Sequence, residues 1–382
     1  MNYKNKPGKH FLPALLICTL LISGCTTEEK LTITLSSIDT INQPSATNAP
    51  LDEFISEEQS VINPLTGLPV SDPALLLRHP VMVKVSNYPR FGRPHFGLSF
   101  ADIVFDYYIG SGTNRFLAVF YGQDSQKIGP LRSGRRIDTQ LVNLYEGILA
   151  YGSADENTDA ILVQGLGPRA ISYLEAPYPA FEGSDTHSVV GVFANSSAIS
   201  QFARENGIDE GVASTLAGMV FDTLTPQSGK PAENILILFN YYNRGEWRYD
   251  PNSRQYLRWI EEMGDDAEEF EMIPLLDRVN NQQLAFDNIL VLFVEYIEYA
   301  PSVHDAKLVE NTTGQQAAFF RDGQYFQGIW KITRPDDPIQ FFDMNGDPYP
   351  LKPGKTWIVL TDKASLFTEK SPAHWEVFFN LP

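Results

Sequence analysis

Three arginines fall within five residues in Arg132-Ser133-Gly134-Arg135-Arg136, at the point where a helical pattern begins. Ile137, Leu141, Leu144 and Ile148 follow at helical spacing, so the guanidinium groups crowd a helix N-terminus that already carries partial positive charge. At about 100° per residue, Arg132, Arg135 and Arg136 lie opposite the apolar stripe and need not enter the core. They can converge on an anion. With the Ser133 hydroxyl and the backbone N–H groups of the helix start, they have the chemistry of a phosphate or carboxylate pocket. An internal ion-pair network with Asp102 and Asp106 needs the same geometry and stands as the alternative. Those two carboxylates are four apart, on one face if their segment is helical, and Arg115 is near them in sequence. Paired carboxylates can divide acid and base roles when their environments differ, although binding arginine is their commoner use. His187 lies in the small polar loop Gly183-Ser184-Asp185-Thr186-His187-Ser188 and is the best-placed histidine for proton transfer. Nothing adjacent completes a triad, so a hydrogen-bonded turn histidine is the plainer reading. The candidate ligand-binding set is Arg115, Arg132, Ser133, Arg135, Arg136, Asp102, Asp106 and His187, with His187 and Asp106 as the candidates for catalysis.

Cys25 carries chemistry of a different kind. Ile22-Ser23-Gly24-Cys25 ends an apolar run from Phe11 that follows Lys4, Lys6 and Lys9, the layout of a bacterial lipoprotein signal too short to span a bilayer. Residues 1–24 are expected to be removed and Cys25 to carry lipid, which anchors the chain to a bacterial membrane on its extracytoplasmic side. The other cysteine, Cys18, lies in the removed part, so neither a disulfide framework nor a cysteine metal site is expected. Residues 25–60 then form a disordered tether, polar throughout and broken by Pro44 and Pro50. The formal net charge is −18, and removal of the three signal lysines takes the balance to 26 − 47 = −21. So acidic a chain is repelled by nucleic acid, and no nucleic-acid partner is expected. The six histidines have no metal-ligand spacing, and neither a calcium loop nor a nucleotide-binding glycine motif is present, so no metal or cofactor is expected.

The elements that must position these residues fall into two textures. In 61–205, Val81 to Val85, the apolar run Phe116 to Phe120 and Ile148 to Tyr151 read as strands. A helix follows the arginines, and Asn195 caps another that carries Ile199, Phe202 and Ala203 and ends before Gly207. This is a mixed α/β N-terminal domain. Residues 206–234 form a connection rich in Gly and Pro. In 235–382, Ile235 to Phe239 and Ile289 to Val294 are strand runs, and Asp322-Gly323 and Asn345-Gly346 are hairpin signals. A mostly antiparallel β C-terminal domain is expected, giving an α+β chain.

Asn63-Pro64-Leu65-Thr66-Gly67-Leu68-Pro69, Arg93-Pro94, Ala101 to Asp106, Thr113 to Phe120, Ile128 to Arg135 and His187 occur in an order that resembles the YerB-like lipoproteins, a two-part domain of unknown function. Thr313-Gly314-Gln315, Gly328-Ile329-Trp330 and Leu351 to Trp357 are similar to its second part. The chain departs from the family pattern at Asp106, where glutamate is usual, at Leu131, where valine is usual, and at Ser188, where asparagine is common. The resemblance implies an extracytoplasmic lipoprotein and no settled activity. Two functions are compatible with the residues. One is non-catalytic binding of an anionic cell-wall component or envelope protein by the arginine pocket. The other is an envelope hydrolase or transferase in which His187 or Asp106 moves protons beside the arginines. Binding is preferred, since no nucleophile or metal site accompanies the cations.

Overall fold

Strands dominate because apolar and β-branched runs recur at short intervals between turn residues. The computed structural model describes residues 60–183, 190–262, 270–301 and 303–381. Cys25, the tether and His187 lie outside the described residues. The first half supplies β1 (Val81–Ser86), β2 (Ile103–Gly110), β3 (Thr113–Phe120), α1 (Arg136–Leu144), β4 (Ile148–Tyr151), α2 (Glu156–Leu166), β5 (Ala170–Ser172) and α3 (Ser196–Glu205). Asn195 caps α3 through its side chain, which accepts the N–H of Ala198, and Gly207 follows with φ 68°. The second half supplies β6 (Asn234–Asn240), β7 (Asn243–Asp250), β8 (Gln255–Glu262), β9 (Asn288–Ala300), β10 (Gln315–Arg321), β11 (Gln324–Lys331), β12 (Gln340–Asp343), β13 (Thr356–Asp362), β14 (Leu366–Ser371) and β15 (His374–Phe378). Both expected hairpin turns form: Asp322-Gly323 joins β10 to β11, and the turn at Asn345-Gly346 follows β12.

The halves are not separate sheets. In one twelve-stranded sheet ten strands run β12-β11-β10-β9-β13-β2-β3-β1-β4-β5, with Val303–Lys307 added beside β9 and Lys230–Pro231 beside β11, so strands of both halves meet at β13 and β2, which pair in parallel from Ile103↔Thr356 to Tyr107↔Leu360. β13 is also parallel to β9. A strand hydrogen-bonded on both sides and covered on both faces reads as an apolar run, and in β13 the run Trp357 to Leu360 is flanked by Thr356, Thr361 and Asp362, with all seven residues buried. The smaller sheet orders β8-β7-β6-β15-β14 and pairs mostly antiparallel, with β6 and β15 parallel. The described residues are therefore mostly strand, with mixed and antiparallel sheets and three α-helices, and the first half is less an α/β unit than its sequence suggests. None of these helices is long and apolar enough to cross a membrane.

The two sheets meet over aromatic rings. Trp357 of β13 contacts Trp247 of β7, Phe116 of β3 and Phe286 at centroid distances of 5.1, 5.0 and 5.3 Å. The guanidinium of Arg258, in β8, lies over Trp247 and Trp357 at 4.9 and 5.3 Å. It can reach there because Gly245 has no side chain: a Cβ at that position would stand 2.0 Å from Arg258 Nη2. Gly245→Ala is therefore expected to cost about 1–3 kcal/mol, the usual cost of overpacking, as read by urea denaturation. A neutral substitution would show that Arg258 does not cross the strand there.

Candidate functional site

Strand alternation decides which charges can meet. Arg115 of β3 stands opposite Ser86 of β1 and Tyr107 of β2, so Arg115, Tyr107, Ser86 and Lys84 share one face of the large sheet. Asp106 and its register partner Phe116 point to the other. The segment expected as a possible helix carrying Asp102 and Asp106 is extended, with β2 beginning at Ile103, and neither carboxylate neutralises the arginine cluster. Asp102, just before β2, accepts the N–H groups of Tyr121 and Gly122 at 2.8 Å each and the Asn63 amide at 3.1 Å. Asp106 accepts from Asn114 Nδ2 and faces Arg258 Nη2 at 3.8 Å, between the two sheets. Burial pushes both carboxyls up to about 6, against the pull of those partners.

The carboxylate beneath the arginines is Asp138, at the third position of α1. Its Oδ2 accepts the N–H of Arg135 at 2.6 Å, which secures the helix start, and its Oδ1 lies 3.0 Å from Lys84 Nζ and accepts from the Tyr107 hydroxyl. Lys84 and Asp138 are wholly buried. Desolvation pushes the Lys84 ammonium down to about 7, Asp138 opposes that shift, and Arg115 and Arg135 reinforce it. One carboxylate thus sits among three cationic side chains, those of Lys84, Arg115 and Arg135.

Arg115 is nine-tenths buried and donates from Nη1 to the carbonyl of Ser133 at 2.6 Å. Its pKa is lowered to about 9 by burial and by Arg135 and Arg132, which leaves it charged at neutral pH. Arg132 donates to the Tyr88 carbonyl at 3.1 Å and, more weakly, to Ser86 Oγ at 3.3 Å. Arg115 and Arg132 line a common cavity of about 430 Å³ at the turn end of the β2–β3 hairpin, with Tyr88, Thr113 and Asn114. Arg135 donates back to the Gly134 carbonyl and contributes its charge from beside the cavity. The Ser133 and Ser153 hydroxyls lie 3.4 Å apart. Arg136 leaves the group, its guanidinium lying over the Tyr299 ring at 4.6 Å. Among the described residues, no carboxylate forms an ion pair within 4.0 Å of Arg115, Arg132, Arg135 or Arg136. The structure thus brings Arg115, Arg132, Ser133 and Arg135 together and sends Arg136, Asp102 and Asp106 elsewhere.

The cavity wall is held from the second half. Tyr88 donates its hydroxyl to Glu261 of β8 at 2.7 Å, and Glu261 also takes Arg93 at 3.0 Å and Arg90 at 3.3 Å. Asn114 Oδ1 accepts from Asn87 at 2.7 Å and from Asn243 of β7 at 3.0 Å. Sequence reasoning missed Lys84, Asp138 and Glu261. Lys84 alone had a visible signal, a single charge inside the apolar run Val81 to Val85.

Residues 65–209 match the model of the N-terminal domain of a protein of unknown function (DUF3048), and residues 236–358 match that of its C-terminal domain. The chain belongs to this two-part family. A relative from Bacillus subtilis (strain 168), named "Putative lipoprotein YerB", is 25% identical over 300 residues, 77% of this chain and 84% of the relative. The crystal structure of the YerB protein from Bacillus subtilis superposes with a TM-score of 0.63 at 24% identity, covering 79% of this chain and 96% of that one, so the fold is shared. The resemblance to YerB-like proteins seen in the motifs thus extends through both halves of the DUF3048 fold.

The buried pair makes a testable demand. Lys84→Met leaves Asp138 without its cation and is expected to cost about 3–5 kcal/mol, while the double variant Lys84→Met/Asp138→Asn loses less than the sum of the two singles. Lys84 binds a proton less readily folded than unfolded, so its contribution to stability is present above about 10.5 and is lost as pH falls through about 7. Denaturation of wild type across pH 7–10 is therefore expected to show a rise in stability with pH that is smaller in Lys84→Met. Equal slopes and additive losses would contradict the pairing.

Proposed function

We propose that this DUF3048 protein binds an anionic group of a cell-envelope component or envelope protein in the Arg115–Arg132 cavity. Lipid on Cys25 and the tether after it hold the body within reach of the membrane surface. One observation carries the reading. Two guanidinium groups line a single cavity with a third beside it, and the nearest carboxylate, Asp138, is committed to Lys84. Partly buried cations that outnumber the carboxylates beside them gain most from an external anion, because a carboxylate or phosphate offers the charge and the paired acceptors that guanidinium groups match. The relative named a lipoprotein supports the anchor.

The enzymatic alternative has less support. Asp106 is fully buried on the opposite face of the sheet from Arg115, so it cannot move protons for a group held by that arginine. His187 lies outside the described residues.

Calorimetric titration with inorganic phosphate and with acetate tests the proposal. Arg132→Lys keeps the charge and loses the planar fork, so phosphate affinity is expected to fall by about 1–3 kcal/mol while the melting temperature changes little. A variant that unfolds readily, from a wild type that binds neither probe, would make the cluster a structural network.

A further inference from the structure

A second cavity, about 610 Å³, opens far along the large sheet from the arginines, where the β14–β15 hairpin meets β11. The ladder of β11 is unbroken on its inner side, where it pairs with β10 from Gln324 to Trp330. On its outer side Lys230–Pro231 pairs only with Gln324 and Tyr325, and β12 pairs only with Gly328 to Lys331. Among the described residues no strand lies beside Phe326 and Gln327 there, and both line the cavity.

Its floor is aromatic and rigid. Trp375 stacks on Phe367 with centroids 5.0 Å apart and planes 22° apart, lies 4.3 Å from Tyr325, and is fixed by its indole N–H, which donates to the Pro231 carbonyl at 2.9 Å. Its rim is polar and carries one ammonium, that of Lys230, which lies 5.8 Å from the centroid of the Trp375 ring. Gln316 and Gln327 are exposed on one face of the β10–β11 pair, since Gln327 stands opposite Ala318, two residues from Gln316. Neither amide hydrogen-bonds to the protein among the described residues. The Asp343 carboxylate on the far rim is taken up by its own turn, accepting the N–H groups of Asn345 and Asp347 at 2.8 and 3.0 Å.

Aromatic carbon below, with free amides and one ammonium above, is the complement of a pyranose. Its C–H faces pack on aromatic carbon, and each amide can donate to one hydroxyl while accepting from the next. The volume lies within the range of roughly 300–1,000 Å³ usual for small-molecule sites. We propose that this cavity binds a neutral hexopyranose oligosaccharide. The site is separate from the arginine cavity, and the proposal does not rest on the anion reading.

The test is calorimetric titration of the full chain with maltotriose and with tri-N-acetylchitotriose. The two arms show whether an acetamido group is required. Binding of at least one is expected, weakened about tenfold in Gln327→Ala and in Gln316→Ala, a loss equivalent to one neutral hydrogen bond. Both residues are exposed, so these variants should melt as wild type does, and Arg132→Lys should bind the sugar unchanged. No binding of either sugar by wild type would overturn the proposal, as would undiminished binding in both glutamine variants.

Discussion

Alternation along β2 and β3 is the constraint on which the rest depends. Successive side chains of a strand point to opposite faces, so the pairing Tyr107↔Arg115 fixes Asp106↔Phe116 on the reverse side. A basic cluster is thereby separated by the thickness of a sheet from the nearest acids in its own hairpin. Had β2 paired one residue out of register, Asp106 would face Arg115 and the cations would be neutralised internally. The observed register leaves an excess of positive charge under α1 and lines a cavity with it.

Each face meets the cost of its buried charge differently. On the helix side, Asp138 serves Lys84, Tyr107 and the start of α1 at once, and the arginines reach backbone carbonyls at Ser133, Tyr88 and Gly134. Carbonyls satisfy donors without cancelling charge, and that keeps the cavity cationic. Between the sheets, Asp106 faces Arg258 and Glu261 gathers Arg90 and Arg93. Because Glu261 and Asn243 also hold Tyr88 and Asn114, the C-terminal half shapes a cavity whose arginines come from the N-terminal half. This gives the two-part composition of the family a physical sense: neither half alone contains both the charges and their supports.

Local signals were legible in the sequence. The apolar runs at Val81, Phe116, Ile148, Ile235 and Ile289 are strands, Asn195 caps its helix, and Asp322-Gly323 turns a hairpin. Non-local pairing was not. The parallel contact of β2 with β13 joins residues about 250 apart, and nothing in either strand names its partner. The spacing of Asp102 and Asp106 misled for a related reason: residues four apart share a face in a helix and in a strand alike, so spacing could not choose between them. Whether those acids share a face with Arg115 is a question of register, which the sequence does not display. The convergence of Arg115, Arg132 and Arg135 could be anticipated because charge type and proximity in the chain sufficed. The departure of Arg136 to Tyr299 depends on where β9 passes.

The central claim is that the charge in the cavity is left for an external anion. A crystal structure of the full chain grown with phosphate tests it most directly. The account predicts phosphate oxygens within hydrogen-bond distance of the guanidinium groups of both Arg115 and Arg132. A carboxylate of the chain itself seated between those arginines, with phosphate bound elsewhere or not at all, would contradict it.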